Sequence, residues 1–516
     1  MASWNSLPPE IRQMVLQSAI SQSPFPTTPV LATVSRDWQD FFEQSTFKDL
    51  ALTNGDLYVF ASAIRANVTR LGYIRTLRLR INLMPYSSRL KEKTESATNI
   101  TQNNRIFTQA IAVLLKVLSL WRGDYGGLEV ELDARSPSDC RYFAFIHELH
   151  DDFLFRFQDE DELFDAVKLF YKKRYEETKR TWGSRRSTSS NLIRTLNGGM
   201  IGRLRGYHLE LKPSLVNRGH PYSQVVRNLP ATPIVKGLVI RRVAPRLIAL
   251  ESLGKIIRES FTALEYFSYS TYMEQTDDKE RDFLDGLATQ LLTSLPTTLT
   301  RFSYSRRPIK DSCDPWVNHR PLARLFARAC HRFAEFRPPQ DLRLVTFFDE
   351  IIAAGRCEES KLEKLSITSI HLHHAVEQRH VTYYLMSAAR AAATMPRLRT
   401  MELWCSYPYY GILFRCEIDT YKVKITWRYL KNGPRFALEE KVVQEWGKVA
   451  SARLFDVNSA PFDDTAGKWE RSKILPYLHL KRLAYSPLEE AQIRAFQPGH
   501  RNCWYVPATP EYRGVY

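Results

Sequence analysis

The sequence of 516 residues predicts an α/β protein in which a helical N-terminal module precedes a series of stacked helix–strand units. Apolar residues at helical spacing dominate the first fifty positions. Beyond them, short apolar runs that favour strands recur, several of them after a helical stretch and a Leu-Pro or Met-Pro break. Because one helix–strand unit cannot cover its own apolar face, these units are expected to stack on one another.

The N-terminal module, residues 1–50, is expected to contain two amphipathic helices separated by a proline-rich loop. Pro8 and Pro9 favour a helix start, and Glu10 follows in the first turn, where its charge suits the helix dipole. Apolar side chains then follow at helical spacing at Ile11, Met14, Val15, Ala19 and Ile20, and again at Leu31, Val34, Trp38 and Phe41. So short a segment cannot bury this much apolar surface alone, and we expect a partner or a docked neighbour to cover it.

Eight apolar runs predict strands beyond this module. They are residues 76–83, 128–132, 207–211, 237–241, 264–269, 299–304, 362–367 and 398–404. From residue 237 onward the runs begin 27, 35, 63 and 36 residues apart, and residues 332–336 could supply a strand within the longest interval. A period of about 30 residues predicts a degenerate leucine-rich-repeat-like α/β solenoid over residues 51–410. An irregular α/β domain with coincidental spacing is the alternative.

Two segments depart from this pattern. A basic insertion near residues 171–207 is expected to be partly helical and mobile around residues 183–191. Residues 416–427 alternate like strands with Lys431-Asn432-Gly433 as a turn signal, and 438–450 favours a helix. We interpret residues 411–496 as a C-terminal α/β cap and 497–516 as a poorly ordered tail.

Charge and composition limit the classes of function. Residues 1–50 contain three basic and five acidic side chains and carry a net charge of −2. Because the whole chain carries +17, the remaining residues carry +19. A basic body can attract nucleic acid, membrane surfaces or acidic proteins. The seven cysteines lack a Cys-x-x-Cys pair, which favours free thiols in a reducing compartment. With no apolar run of eighteen residues and no signal-peptide pattern, we expect a cytoplasmic or nuclear protein that does not use a membrane.

The sequence predicts no catalytic residue, metal site or cofactor. Neither phosphate-binding glycine pattern is present, and there is no Gly-x-Ser-x-Gly turn. Histidines cluster at 371, 373, 374 and 380, and at 147 and 150. Neither cluster has the spacing of a zinc site, so a structural or surface role is favoured for both.

The Leu-Pro-x-Glu-Ile sequence at residues 7–11, followed by Val34 and Trp38, resembles the F-box motif. Residues 32–39 are similar to the version common in fungal F-box proteins. Looser similarity to that family continues at residues 47–50, 74–79, 131–133, 136–139 and 395–404. The loop between the two helices departs from the family, because it is rich in proline where an F-box usually carries an Asp-Leu-type helix start. This departure puts the middle helix of the motif in question.

The resemblance implies a non-catalytic substrate receptor of an SCF-type ubiquitin ligase. In that family the F-box docks a Skp-type adaptor, which connects it to a cullin scaffold, and the solenoid recruits a protein substrate, here unknown. The implied adaptor-binding residues are Leu7, Pro8, Ile11, Val15, Val34 and Trp38. Each of them could instead pack against the segment that follows.

A second hypothesis rests on charge alone. A basic α/β body could bind nucleic acid or phosphorylated ligands, since arginine clusters bind phosphate well. Nucleic acid is the less favoured of these ligands, because the basic cluster at residues 172–186 is not accompanied by a recognisable nucleic-acid-binding module.

Overall fold

One twelve-stranded sheet runs through the protein, and its strands lie side by side in chain order. The structure is a computed structural model. It describes residues 4–22, 28–66, 68–121, 126–142, 162–169, 198–215, 225, 227–240, 246–272, 277–307, 320–340, 342–369, 372, 378–407, 410–430, 438–451, 453–463, 469, 471–485 and 490–491. The α/β class predicted from the sequence is confirmed.

The strands are mostly parallel. They are β1 Asp49–Thr53, β2 Thr76–Asn82, β3 Leu128–Arg135, β4 Val235–Ile240, β5 Tyr266–Tyr272, β6 Arg301–Arg307, β7 Glu335–Arg337, β8 Lys364–Thr368, β9 Thr400–Tyr407, β10 Tyr410–Ile418, β11 Lys422–Tyr429 and β12 Leu454–Pro461. Neighbours from β1 to β9 are parallel, β10 is antiparallel to both β9 and β11, and β12 is parallel to β11.

Helices connect the parallel strands. They are α1 Pro9–Gln22, α2 Thr28–Leu31, α3 Arg36–Lys48, α4 Leu57–Ala66, α5 Ala97–Leu118, α6 Pro137–Tyr142, α7 Gly198–Arg205, α8 Leu250–Glu259, α9 Asp277–Gly286, α10 Arg320–Ala329, α11 Leu344–Ala354, α12 Gln378–Ala393, α13 Glu440–Ala450 and α14 Lys481–Ala484. Residues 162–169 are also helical. Consecutive helices pack against each other from α10 to α13, which gives a helical layer beside the sheet. Within the described residues, no helix is both long and apolar enough to cross a bilayer.

Alternation along the strands sorts their side chains onto two different faces. One face is apolar and fully buried beneath the helices. Paired positions along it, from β2 to β9, are Leu77, Val130, Leu238, Phe267, Phe302, Phe336, Leu365 and Met401. The rings of Phe267 and Phe302 stack with centroids 5.5 Å apart, which continues the core from one unit into the next.

Seven of the eight predicted runs overlap strands, and residues 332–336 overlap β7, the strand expected within the longest interval. The prediction for residues 207–211 is wrong, because this segment makes only an isolated bridge between Leu209 and Ile248. Three of its backbone N–H groups, those of Tyr207, Glu210 and Leu211, donate to side chains instead of to a strand. Glu210 N donates to Asn104 Oδ1 at 3.0 Å, and Leu211 N donates to Ser252 Oγ at 2.9 Å.

The second N-terminal helix is interrupted. Leu31 ends the four-residue α2, and Ser35 begins α3 as its N-cap, with Oγ accepting from the backbone N of Trp38 at 3.4 Å. The serine adopts an extended backbone, so the helical spacing of Leu31, Val34 and Trp38 spans two elements.

The C-terminal part extends the same sheet. The predicted turn at residues 431–433 lies outside the described residues, whereas the β10–β11 turn falls at Asp419–Tyr421, inside the run that was expected to alternate. Asp419 Oδ1 accepts from Thr420 N at 2.7 Å there, a local bond typical of turns. The helix expected at 438–450 is confirmed as α13. Of the basic insertion, residues 171–197 lie outside the described residues, as does the whole of the predicted tail at 497–516.

Replacement of Leu299 by alanine tests the stacked core. Leu299 precedes β6 and is 3% exposed in the continuous apolar cluster. We expect Leu299→Ala to lower the free energy of unfolding by about 2–5 kcal/mol, because the cavity adds to the lost transfer energy. Chemical denaturation measures it, with Leu454→Ala as the control, since Leu454 is largely exposed. Equal stability of the two variants would contradict this packing.

Candidate protein-docking site

Helix α3 attaches the N-terminal module to the edge of the sheet. It runs directly into β1, the edge strand, with Asp49 as its C-cap. Phe42 on α3 is fully buried. Glu43 on α3 is bound by Arg70 at two points, Arg70 Nη2 to Oε1 at 2.6 Å and Arg70 Nε to Oε2 at 3.1 Å. Arg70 also donates to the carbonyl of Ala63, so α3, α4 and the segment before β2 are joined.

The Glu43–Arg70 pair is shielded from solvent, since Glu43 is buried and Arg70 is largely covered. The hydrogen bond from Arg70 holds the pKa of Glu43 below its ordinary value, and desolvation opposes this in part. The same hydrogen bond raises the pKa of Arg70. A lowered carboxyl pKa means that the pair stabilises the fold above the ordinary pKa and that this contribution is lost as the pH falls through the lowered value.

Helix α1 is held to α3 by contacts around Asp37. Asp37 Oδ2 accepts from Arg12 Nη1 at 3.1 Å and from Trp4 Nε1 at 3.3 Å. The ring of Trp38 lies between two others, with centroids 5.7 Å from Trp4 and 5.5 Å from Phe42. Aromatic pairs at these distances are favourable beyond their buried area. The Arg12–Asp37 ion pair therefore joins α1 to α3, and the Trp4–Trp38 ring pair joins α3 to the turn that precedes α1.

One flank of α1 carries three exposed apolar side chains. Ile11, Met14 and Val15 are 42%, 63% and 40% exposed, and their spacing of three and four residues places them on one face. Val34, in the turn before α3, is 59% exposed. Of the fifteen large apolar side chains that are exposed among the described residues, seven lie between Ile11 and Val59. Exposed apolar side chains that form a patch are typical of an interaction surface.

The six predicted adaptor-binding residues therefore fall into two groups. Pro8, Ile11, Val15 and Val34 are exposed, whereas Leu7 and Trp38 are half-buried. The stacking of Trp38 between Trp4 and Phe42 gives it a packing role within the N-terminal module itself. The structure thus brings Ile11 and Val15 together on one exposed flank of α1, whereas Trp38 packs against other aromatic rings.

On β2 and β3 the second face of the sheet is polar, and its charges are paired. Arg78 Nε on β2 lies 3.2 Å from Glu131 Oε1 on β3, and Arg80 Nε on β2 lies 3.7 Å from Asp133 Oδ2 on β3. All four side chains are buried. Buried charges of this kind are costly unless paired, so the two strands are matched through their polar faces as well as their apolar ones.

At the C-terminal end of the sheet, residues 469 and 471–485 cover the second face, where Trp469, Ile474 and Leu475 belong to a second apolar cluster together with Trp404 and Leu413. The carboxylate of Glu402 on β9 is fully buried and accepts from His479 N at 2.8 Å and from Leu480 N at 3.1 Å. Arg415 Nη1 on β10 donates to the carbonyl of Tyr477 at 2.8 Å. Burial raises the pKa of Glu402, and the two backbone bonds oppose that rise. Sequence reasoning missed this arrangement, whose only signal is a carboxylate between Met401 and Leu403 in a strand.

The histidine clusters provide no metal site in the part that is described. No group of three or more potential metal-binding side chains occurs among those residues. Residues 371, 373, 374, 147 and 150 lie outside the described ranges, and His380 is exposed on α12.

Comparison with known proteins assigns no activity. Residues 294–483 match the model of DUF6546, a family of unknown function. The match begins before β6 and ends in α14, so it covers the C-terminal half of the sheet together with the segment that lies on its polar face. No curated protein matches the chain.

Arg70→Gln tests the attachment of α3. The variant leaves a buried carboxylate with fewer partners, and we expect unfolding to become easier by about 1–3 kcal/mol at pH 7. As the pH falls below 4.5, the ordinary pKa of the carboxyl group, protonation of Glu43 removes the unpaired charge and the difference should narrow. Denaturant unfolding over a pH series measures this. Arg65→Gln is the control, because Arg65 is exposed on α4, and an identical response of the two variants would contradict the role of the pair.

Gly411→Ala tests the seating of the C-terminal segment. A Cβ atom at Gly411 on β10 would lie 2.6 Å from Cε2 and Cζ2 of Trp469, whose Nε1 donates to Ser406 Oγ. We expect the overlap to cost about 1–3 kcal/mol and to accelerate amide hydrogen exchange in residues 471–485. Gly447→Ala is the control, because nothing lies within 4 Å of its added atom and alanine favours a helix. Unchanged exchange in the Gly411 variant would show that Trp469 is not seated there.

Proposed function

We propose that this chain is a non-catalytic substrate receptor of an SCF-type ubiquitin ligase. Residues 1–50 act as an F-box that docks a Skp-type adaptor and, through it, a cullin scaffold. The stacked units act as a degenerate leucine-rich-repeat-like solenoid that recruits a protein substrate. The observation that carries the proposal is the open apolar face of Ile11, Met14 and Val15, because it lies within the motif that resembles an F-box.

The energetics favour a protein partner for this face. The apolar surface of α1 is exposed, and its removal from water is favourable at roughly 25 cal/mol per Å². A protein-binding surface typically concentrates its free energy in a few apolar anchors that fit pockets on the partner. Three such side chains on one helical face, with Val34 from the neighbouring turn, match that pattern.

The attachment of the module suits a receptor. Helix α3 continues into β1, and the Glu43–Arg70 pair ties it to the segment before β2. An adaptor bound to α1 would therefore hold the sheet in a defined orientation. A receptor without chemistry of its own acts by raising the effective concentration of substrate lysines near the transfer site, and this requires a limited range of orientations.

The repeated architecture supports the second half of the proposal. Strands β1 to β9 are parallel, occur in chain order and mostly carry their helices on one side. Stacked units of this kind form extended surfaces that suit protein recognition. The proposal implies a cytoplasmic or nuclear location, where such ligases work.

Two double variants test adaptor docking. We expect Leu7→Ala with Pro8→Ala, and separately Ile11→Ala with Val15→Ala, to abolish capture of a purified Skp-type adaptor by the full chain. Loss of an interface anchor costs about 2 kcal/mol, roughly thirtyfold in Kd. The second pair is the sharper test, because both side chains are exposed and the melting temperature should not change. Affinity is measured by calorimetry.

Tyr421→Ala is the matched control for these variants. Tyr421 is an exposed apolar side chain in the turn between β10 and β11, far along the sheet from α1. Adaptor affinity should be unchanged in this variant. Capture that survives both double variants would refute the F-box assignment, and steep salt-dependent binding of RNA or DNA would favour the charge-based hypothesis instead.

A further inference from the structure

A cavity of about 180 Å³ lies between the polar face of β10–β12 and the C-terminal segment. Its floor is one row across three strands, in which Arg415, Thr426 and Asn458 are register partners. Lys424 and Arg428 flank Thr426 on the same face of β11, because side chains two residues apart in a strand point the same way. The remaining lining residues are Leu413, Pro476, Tyr477 and His479.

The positive charge of this cavity is only partly neutralised. Arg415 is engaged by Tyr477 O and by Glu417, with Nε 3.3 Å from Glu417 Oε2. Glu417 also lies 3.0 Å from Nδ1 of His479. Within the described residues, Arg428 forms no ion pair, and Lys424 has only the longer-range attraction of Asp456. The carboxylates near the cavity are thus already engaged, while two cations still face it.

A buried hydroxyl at the centre of the floor points to a ligand. Thr426 is 3% exposed, and its Oγ1 has no hydrogen-bond partner in the described part of the chain. A hydroxyl that has lost its water without gaining a partner destabilises the fold. This one lies directly between Arg415 and Asn458 in register, where an acceptor could bond to all three side chains.

We propose that this cavity binds the phosphoryl group of a small phosphate monoester. Guanidinium, ammonium, hydroxyl and amide donors converge on one floor, a set that suits a tetrahedral oxyanion with several acceptor oxygens. Leu413, Pro476 and Tyr477 provide a less polar wall for a substituent. A cavity of about 180 Å³ has room for a phosphoryl group with a short substituent.

The segment that covers the cavity limits the size of the ligand. Residues 476–479 cross the cavity and are pinned by Glu402 and Arg415. This leaves space for a small molecule rather than for an extended peptide. The site uses residues far from α1, so its test is independent of adaptor docking.

Calorimetry on the full-length protein tests the site with glycerol 3-phosphate, inorganic phosphate and a phosphoserine peptide. We expect glycerol 3-phosphate to bind most tightly. Arg428→Gln should weaken it roughly tenfold to a hundredfold, as expected for loss of a charge-assisted bond. Thr426→Val should also weaken it while leaving the melting temperature of the ligand-free protein unchanged or raised. That combination distinguishes a ligand contact from a structural role.

Arg397→Gln provides the charge control, since Arg397 is exposed before β9 and does not line the cavity. It should leave the affinity unchanged. An equal loss in the Arg397 and Arg428 variants would overturn the site, because the binding would then follow net charge alone. Absence of binding by glycerol 3-phosphate, or tighter binding of the phosphoserine peptide, would overturn the assignment to a small monoester.

Discussion

The structure depends on a continuous row of buried apolar side chains that crosses parallel strands. Phe267, Phe302 and Phe336 occupy paired positions on β5, β6 and β7, and each ring packs against the next unit. No unit can cover this row alone, so each helix–strand unit is stable only beside its neighbours. This constraint explains why the twelve strands follow chain order, since a strand inserted elsewhere would separate units whose rings already fit.

The second face of the sheet carries buried charges, and a buried charge is costly unless it is paired. The groups that pair with these charges differ along the sheet. Arg78 forms an ion pair with Glu131 on the adjacent strand, whereas Glu402 accepts hydrogen bonds from backbone N–H groups of the C-terminal segment. Because a slip of one residue would exchange the two faces, each such pair also opposes misregister. Apolar packing sets the layering, and polar pairing sets how the strands and the covering segment align.

Local patterns predicted most of this fold, because apolar alternation is a property of the strand itself. The failures share a cause: the partners are distant in sequence. Residues 207–211 resemble a strand, but Asn104 and Ser252 satisfy their N–H groups. Thr426 and Asn458 meet only through the β11–β12 register, so no sequence window shows the cavity. The exposed apolar side chains of α1 could be anticipated from the local sequence. Residues 1–50 contain more apolar side chains than so short a segment can bury.

The two ends of the sheet differ in how binding could affect the rest of the chain. A ligand shifts a conformational equilibrium only by its difference in affinity between two states. At the C-terminal end, Glu402 and Arg415 hold the segment that carries His479, and a ligand that touches both this segment and β11 would favour the same arrangement. At the N-terminal end α3 is continuous with β1 and braced by Arg70. The cavity lining contains no residue of α1, α3 or β1, so we expect binding at one end to leave the affinity at the other unchanged.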